Sequence, residues 1–125
     1  MIGLTLDSGA LIAFEKNDRR LVALLVRALA RGQSLAVPAG VVGQVWRDGR
    51  RQARLSRLLA ASEVSIEILD DQRAREAGQL CGVRGSSDII DASVVLCARR
   101  HRHRIATSDP EDLRALDPSI ELVMV

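Results

Sequence analysis

Ile2-Gly3-Leu4-Thr5-Leu6-Asp7-Ser8-Gly9-Ala10-Leu11-Ile12 reads as a short buried strand that ends on an acid and turns through small residues into a helix. The same grammar recurs late in the chain, where Arg104-Ile105-Ala106-Thr107-Ser108 runs into Asp109. Between the two, Asp88 and Asp91 open the helical-looking stretch Ile89 to Ala98. In an open parallel α/β sheet, ligands bind outside the carboxyl ends of the strands. Acids at these positions are therefore expected to converge on one sheet edge. Carboxylates that close repel one another unless protons or a hard cation neutralise them. A divalent metal site is the simplest expectation.

Working outward, apolar runs alternate with helical periodicity. Strands are predicted at 2–6, 34–38, 64–69, 104–107 and 120–124, and helices at 9–15, 20–31, 40–47, 50–61, 71–82, 89–100 and 110–116. Leu55, Leu58 and Leu59 recur at i, i+3, i+4, the spacing of one helix face. Gly32 sits where a helix should stop, and Asp70 and Asp71 where one should start. Strands apolar on both faces and separated by helices predict a mainly parallel sheet covered on both sides. The expected fold class is α/β, a three-layer α/β/α sandwich forming a single domain over residues 1–125.

A chain of 125 residues with 47% hydrophobic and 27% charged residues is ordinary for a soluble globular domain. No apolar run reaches membrane-spanning length, and no basic leader precedes the first one, so neither a membrane span nor a secretory signal is expected. Cys81 and Cys97 lack a CxxC spacing, which argues against a disulfide framework or zinc ribbon and fits core residues in a reducing cytoplasm. Net charge is only +2, yet 17 of the 18 basic residues are Arg, with Lys16 the exception. Phe14 and Trp46 are the sole aromatics, too few for a base-stacking platform.

Each acid also has a structural reading. Asp7 can cap the helix that follows it. Asp88 makes a good N-cap after Gly85-Ser86-Ser87, and Asp91, three residues on, shares its face and sits at the positive end of the helix dipole. Asp91 is harder to explain that way, because a carboxylate at the edge of a buried helix face needs a partner. Asp109-Pro110-Glu111-Asp112 is a complete helix-start signal.

Four of these segments, in order, resemble the motifs of the PIN-domain family, and more closely those of VapC-type toxins of bacterial toxin–antitoxin pairs. Leu4 to Ile12 resembles the opening strand with its first acid, and Val37-Pro38-Ala39-Gly40-Val41-Val42-Gly43-Gln44-Val45-Trp46-Arg47 resembles the second motif. Asp88 to Ala98 resembles the third with Asp91 at the acidic position, and Thr107 to Leu113 the fourth with Asp109 there. The resemblance implies a PIN-like fold and an RNA endonuclease dependent on Mg2+, or Mn2+. It implies Asp7, Asp91 and Asp109 as metal-holding catalytic residues, with Asp88 and Asp112 supporting. Gln44 stands where the family carries Glu; it would orient a water without contributing charge, and Glu15 lies too far along its helix to substitute. The implied partners are a VapB-type antitoxin, RNA and a second copy of the chain in a homodimer. Gln44 also keeps open a catalytically weakened PIN scaffold that serves as a binding module.

RNA needs basic residues as well. Arg47, Arg50, Arg51 and Arg54, continued by Arg57, recur at helical spacing and are the expected RNA-binding set. A second basic run holds Arg99, Arg100, Arg102 and Arg104. His101 and His103 within it are expected on the surface, and Cys97 with His101 makes two ligands and no metal site. A phosphorylation receiver domain has the same size and layering, but it needs an acidic pair after the first strand and a late Lys, and this chain has neither. A DxD phosphatase fails because Asp7-Ser8-Gly9 lacks the second acid.

Overall fold

The computed structural model describes residues 2–125. Its five strands are β1 (Leu4–Leu6), β2 (Leu35–Pro38), β3 (Val64–Glu67), β4 (Arg104–Thr107) and β5 (Leu122–Met124). The helices are α1 (Ser8–Glu15), α2 (Arg19–Ala30), α3 (Ala39–Val45), α4 (Ala53–Ala60), α5 (Asp71–Arg84), α6 (Ile89–His101) and α7 (Pro110–Leu116). The sheet is parallel throughout, in the order β3-β2-β1-β4-β5. The chain winds outward from β1 through β2 to β3, then returns to lay β4 on the other side of β1. That reversal puts the topological switch point between β1 and β4, where crevices open at the carboxyl ends of such sheets. A receiver domain winds 2-1-3-4-5, so the observed order removes that alternative.

The central strands are short because burial on both faces suffices to hold them. Every residue of β1 and β2 is buried, and Leu4, Leu6, Leu35 and Val37 are fully enclosed with Leu11, Leu21, Leu55, Val94, Ile105 and Leu113. Each such side chain contributes roughly 1.5–3 kcal/mol on leaving water. The outer strands depart from the expected two-sided burial: in β3 Val64 and Glu67 are half-buried while Ser65 and Ile66 between them are exposed, Ile66 by 43%. β3 ends at Glu67 rather than residue 69 because β2, its only neighbour, ends at Pro38 opposite it.

The largest departure lies between α3 and α4. The helix expected to reach 47 stops at Val45, and the one expected from 50 begins at Ala53. Buried Gln52 organises the turn. Its amide oxygen accepts from the Arg47 and Asp48 backbone N–H groups at 2.8 and 3.0 Å, while its Nε2 donates to the Val45 carbonyl at 2.9 Å and to both Glu15 oxygens at 3.1 and 3.2 Å. One side chain thus satisfies backbone groups that a continuing helix would have paired. Among the described residues, no helix is long and apolar enough to cross a membrane.

Candidate active site

Asp7 leaves the carboxyl end of β1 as the N-cap of α1, buried, and its Oδ1 accepts from the Ala10 N–H at 2.9 Å. Burial raises its carboxyl above the usual range and the negative charge of Asp109 adds to that; the Thr107 hydroxyl and the Ala10 N–H pull the other way. Thr107, the fully buried last residue of β4, is the hinge of the pair. Its hydroxyl lowers the Asp7 carboxyl and accepts from the Asp109 N–H at 2.9 Å. Asp109 occupies the N-cap position of α7, but its side chain makes no capping bond. The helix-start motif therefore does not consume this carboxylate, which stays exposed at the edge. Gly9 lets the two loops meet: a Cβ there would strike the Ser108 hydroxyl, with the Ser108 backbone nitrogen 3.4 Å away.

The third motif arrives on α6. Asp88 is its N-cap and accepts from the Asp91 N–H at 2.9 Å, so the capping reading holds for Asp88. Half-buried Asp91 differs. Burial first, then the charges of Asp88, Asp112 and Asp7, push its carboxyl up to about 7. Asp112, exposed on the first turn of α7, is raised by the neighbouring Asp109 carboxylate, and in smaller part by Asp88. The five acids thus form one continuous field of repulsion, and among the described residues none of them has an Arg, Lys or His ion-pair partner.

They do not close on a single point. Among the described residues, the one trio of carboxylate, thiol or imidazole ligand atoms lying within 4.8 Å of one another belongs to Glu67, Cys97 and His101. The acidic set nevertheless suits a hydrated divalent ion, because Mg2+ keeps several waters and is held through one or two carboxylates. Gln44 is exposed on α3 and makes no hydrogen bond to the acids among the described residues. It lies four residues after Gly40, on the same helix face, and Gly40 abuts Ile90 beside Asp91. Glu15 is engaged by Gln52 at the far end of α1, about 12 Å along that helix from Asp7.

The basic residues divide. Arg47 spends its guanidinium on the Gly43 and Trp46 carbonyls, finishing α3. Arg50, Arg51 and Arg54 are exposed, and Arg51 is opposed only by Asp48 at 3.9 Å. In the second run Arg99 pairs with Asp117 at 2.9 Å, and Arg100 with Glu67 and Glu76 at 2.6 and 3.3 Å. Arg99 sits eight residues along α6 from Asp91, about 12 Å away, and is structurally occupied. His103 is buried instead of exposed: it bonds to Thr5 at 3.1 Å, and burial together with His101 lowers it to about 4.

The Glu67–Cys97–His101 cluster, which the sequence reading counted as two ligands, is already satisfied. Against the upward push of burial, bonds from Arg100 and Cys97 and the charges of Arg100 and Arg73 hold Glu67 at about 2. Burial and the Glu67 charge push the Cys97 thiol up to about 12, so it stays protonated. It reads as a structural ion-pair network.

The fold is a parallel α/β/α domain with five acids gathered near its switch point, none of them ion-paired among the described residues. The PIN domain model matches residues 4–117, and the chain belongs to the PIN domain family. The fold is similar to VapBC2 from Rickettsia felis bound to a DNA fragment from its promoter, at 17% identity over 100% of this chain and 99% of that one, TM-score 0.71. It is also similar to VapC20 of Mycobacterium tuberculosis, a Sarcin-Ricin loop cleaving toxin, at 14% identity over 94% and 96% of the two chains, TM-score 0.68. FitAcB from Neisseria gonorrhoeae shares 19% identity over 95% of each chain, TM-score 0.63. No curated protein sequence matches.

Proposed function

We propose that this PIN domain is a metal-dependent endoribonuclease acting as the toxin of a toxin–antitoxin pair. The observation that carries the reading is the basin of five carboxylates without a basic ion-pair partner among the described residues, one of them raised to about 7. Asp7 is buried and Asp91 half-buried, and charge held there beside three more acids is costly unless something neutralises it. A bound Mg2+ or Mn2+ supplies Lewis acidity to the scissile phosphate and lowers the pKa of a water. Asp7, fixed by Thr107 and Ala10, and Asp91 are the residues that hold the cation. Asp109, its carboxylate not used in capping, completes the set, and Asp88 and Asp112 strengthen the negative potential. A cation held by Asp91 would favour its ionised form over the protonated one. Gln44 orients a water from α3. Arg50, Arg51 and Arg54 hold phosphates beyond the far end of α1.

Similarity in fold to VapC20, described as a Sarcin-Ricin loop cleaving toxin, supports the ribonuclease reading. VapBC2 and FitAcB support a small VapB-type antitoxin as partner. We place the working protein in the cytoplasm as a homodimer. The test is cleavage of RNA with Mg2+, with EDTA, and by Asp7→Asn and Asp91→Asn. Activity is expected only in the wild type with metal, and an unchanged rate in either variant refutes the assignment. A second reading, a weakened scaffold that binds without cutting, rests on Gln44. Calorimetric Mg2+ titration separates the two, because a scaffold gives no magnesium-dependent heat while Gln44→Glu restores it.

A further inference from the structure

We infer that the arginine-walled groove between α2 and the β4–β5 edge binds the phosphate backbone of the single-stranded RNA on which the acidic site acts, an inference that rests on the nuclease reading above. Two adjoining clefts of about 210 and 520 Å3 form the groove, and Leu24 and Arg27 line both. Arg19, Arg20, Arg27, Arg31 and Arg104 supply its walls, and no acidic side chain lines either cleft. None of these five arginines has a carboxylate partner among the described residues. That sets them apart from Arg99 and Arg100, whose charges fasten the fold.

The arginines on α2 lie outside the core. The helix buries Leu21, Leu25 and Ala28, while Arg19, Arg20, Arg27 and Arg31 are exposed. From Arg19 to Arg31 the row extends about 18 Å along the helix, enough for several consecutive phosphates of a single strand. Continuity with the acids supplies the direction. The groove ends against Val123, Met124 and Val125. Met124 pairs with Thr107 across the sheet, and the Val125 N–H donates to the Thr107 carbonyl at 3.0 Å. Thr107 closes β4 beside the acids: its hydroxyl accepts from the Asp109 N–H at 2.9 Å and lowers the Asp7 carboxyl. Under the nuclease reading, a phosphate backbone lying in the groove leads on to the acidic site where a bound cation would receive the scissile phosphate, whereas an acidic peptide has no reaction to reach there. The shortage of aromatics agrees with a surface that grips backbone instead of stacking bases.

The test measures binding of a fluorescently labelled single-stranded RNA of about a dozen nucleotides. It uses full-length protein carrying Asp91→Asn, in EDTA, so that binding is read without cleavage. Adding Arg20→Gln, Arg27→Gln and Arg31→Gln, which keep good helix propensity, is expected to weaken binding at least tenfold at low salt. The slope of log affinity against log salt should become shallower by about 2, near 0.7 per lost contact. The corresponding Lys triple variant retains the charge and should retain the slope. Equal affinity and slope in the Gln variant overturn the proposal. So does binding of polyglutamate, but not RNA, in an arginine-dependent way, which would assign the groove to an acidic protein. So does a wild-type groove that takes neither probe. Cleavage by protein without Asp91→Asn in Mg2+ is scored separately: cutting with an unaffected Gln triple sinks the groove alone, and arginine-dependent binding without cutting sinks the nuclease alone.

Discussion

Replacing Asp91 by Asn should stabilise the metal-free protein, and the size of the effect follows from where its proton sits. In the folded chain the carboxyl titrates near 7, against 3.8 for the free side chain. Between those values the folded state keeps a proton that the unfolded state has lost, so stability falls as pH rises through the window and the loss is complete above about 7. Three units correspond to ~4 kcal/mol. Solvent screening at a half-buried position cuts that to about 2 kcal/mol, or a melting shift of about 8 °C for a domain of this size. Asn matches the protonated carboxyl in shape and cannot ionise. In EDTA, Asp91→Asn should therefore melt higher than wild type at pH 8 and level with it below pH 4. Mg2+ should raise the wild-type midpoint and leave the variant nearly unmoved. Thermal denaturation by circular dichroism reads all three comparisons. A variant that melts at or below wild type at pH 8 would refute the claim that uncompensated negative charge dominates this site.

Gly9→Ala forces a methyl into the Ser108 hydroxyl; overpacking of this kind costs about 1–3 kcal/mol, and displacing Asp109 from Asp7 should also weaken Mg2+ binding by calorimetry. Adding Ser108→Gly should recover both, and failure to recover either breaks the link between loop contact and acid spacing. His103 titrates in the opposite sense to Asp91: its folded value of about 4 lies below the ordinary 6.5, so stability present above pH 6.5 is lost as pH falls towards 4, ~2 kcal/mol by pH 5. His103→Gln should flatten the acid limb of the melting profile, and an identical limb would count against it. Gln52→Ala leaves the Arg47 and Asp48 N–H groups and the Val45 carbonyl without their partner, expected to cost about 2–4 kcal/mol in urea titration; a loss under about 1 kcal/mol would mean water replaces the amide freely.

Much of the architecture was readable because the central strands announce themselves by unbroken apolar runs, and β4 and α7 fall at the expected residues. The acids were findable for the same reason, each closing such a run or opening a helix. What periodicity could not reveal was Gln52, since a glutamine that bonds to four residues looks in sequence like any polar helix position. His103 was misplaced because its polar neighbours suggested solvent, while the backbone turn at Arg102, with φ of +57°, swings it inward to Thr5. The α2 arginines were passed over because they are scattered through a helix whose leucines dominate its pattern, and only the fold sets Arg104 beside Arg31. Asp109 is the reverse case: a complete helix-start signal implied a spent carboxylate, yet the side chain makes no cap.

Contact between Gly9 and Ser108 means that the acids of β1 and β4 cannot drift apart independently. Their separation is a property of two backbones in register, Leu6 beside Ala106, and not of any one rotamer. Substitutions on the outer helices and edge strands can then accumulate without retuning the distance that chemistry depends on. A frame of that kind tolerates deep divergence, which is how chains only 14–19% identical keep superimposable cores.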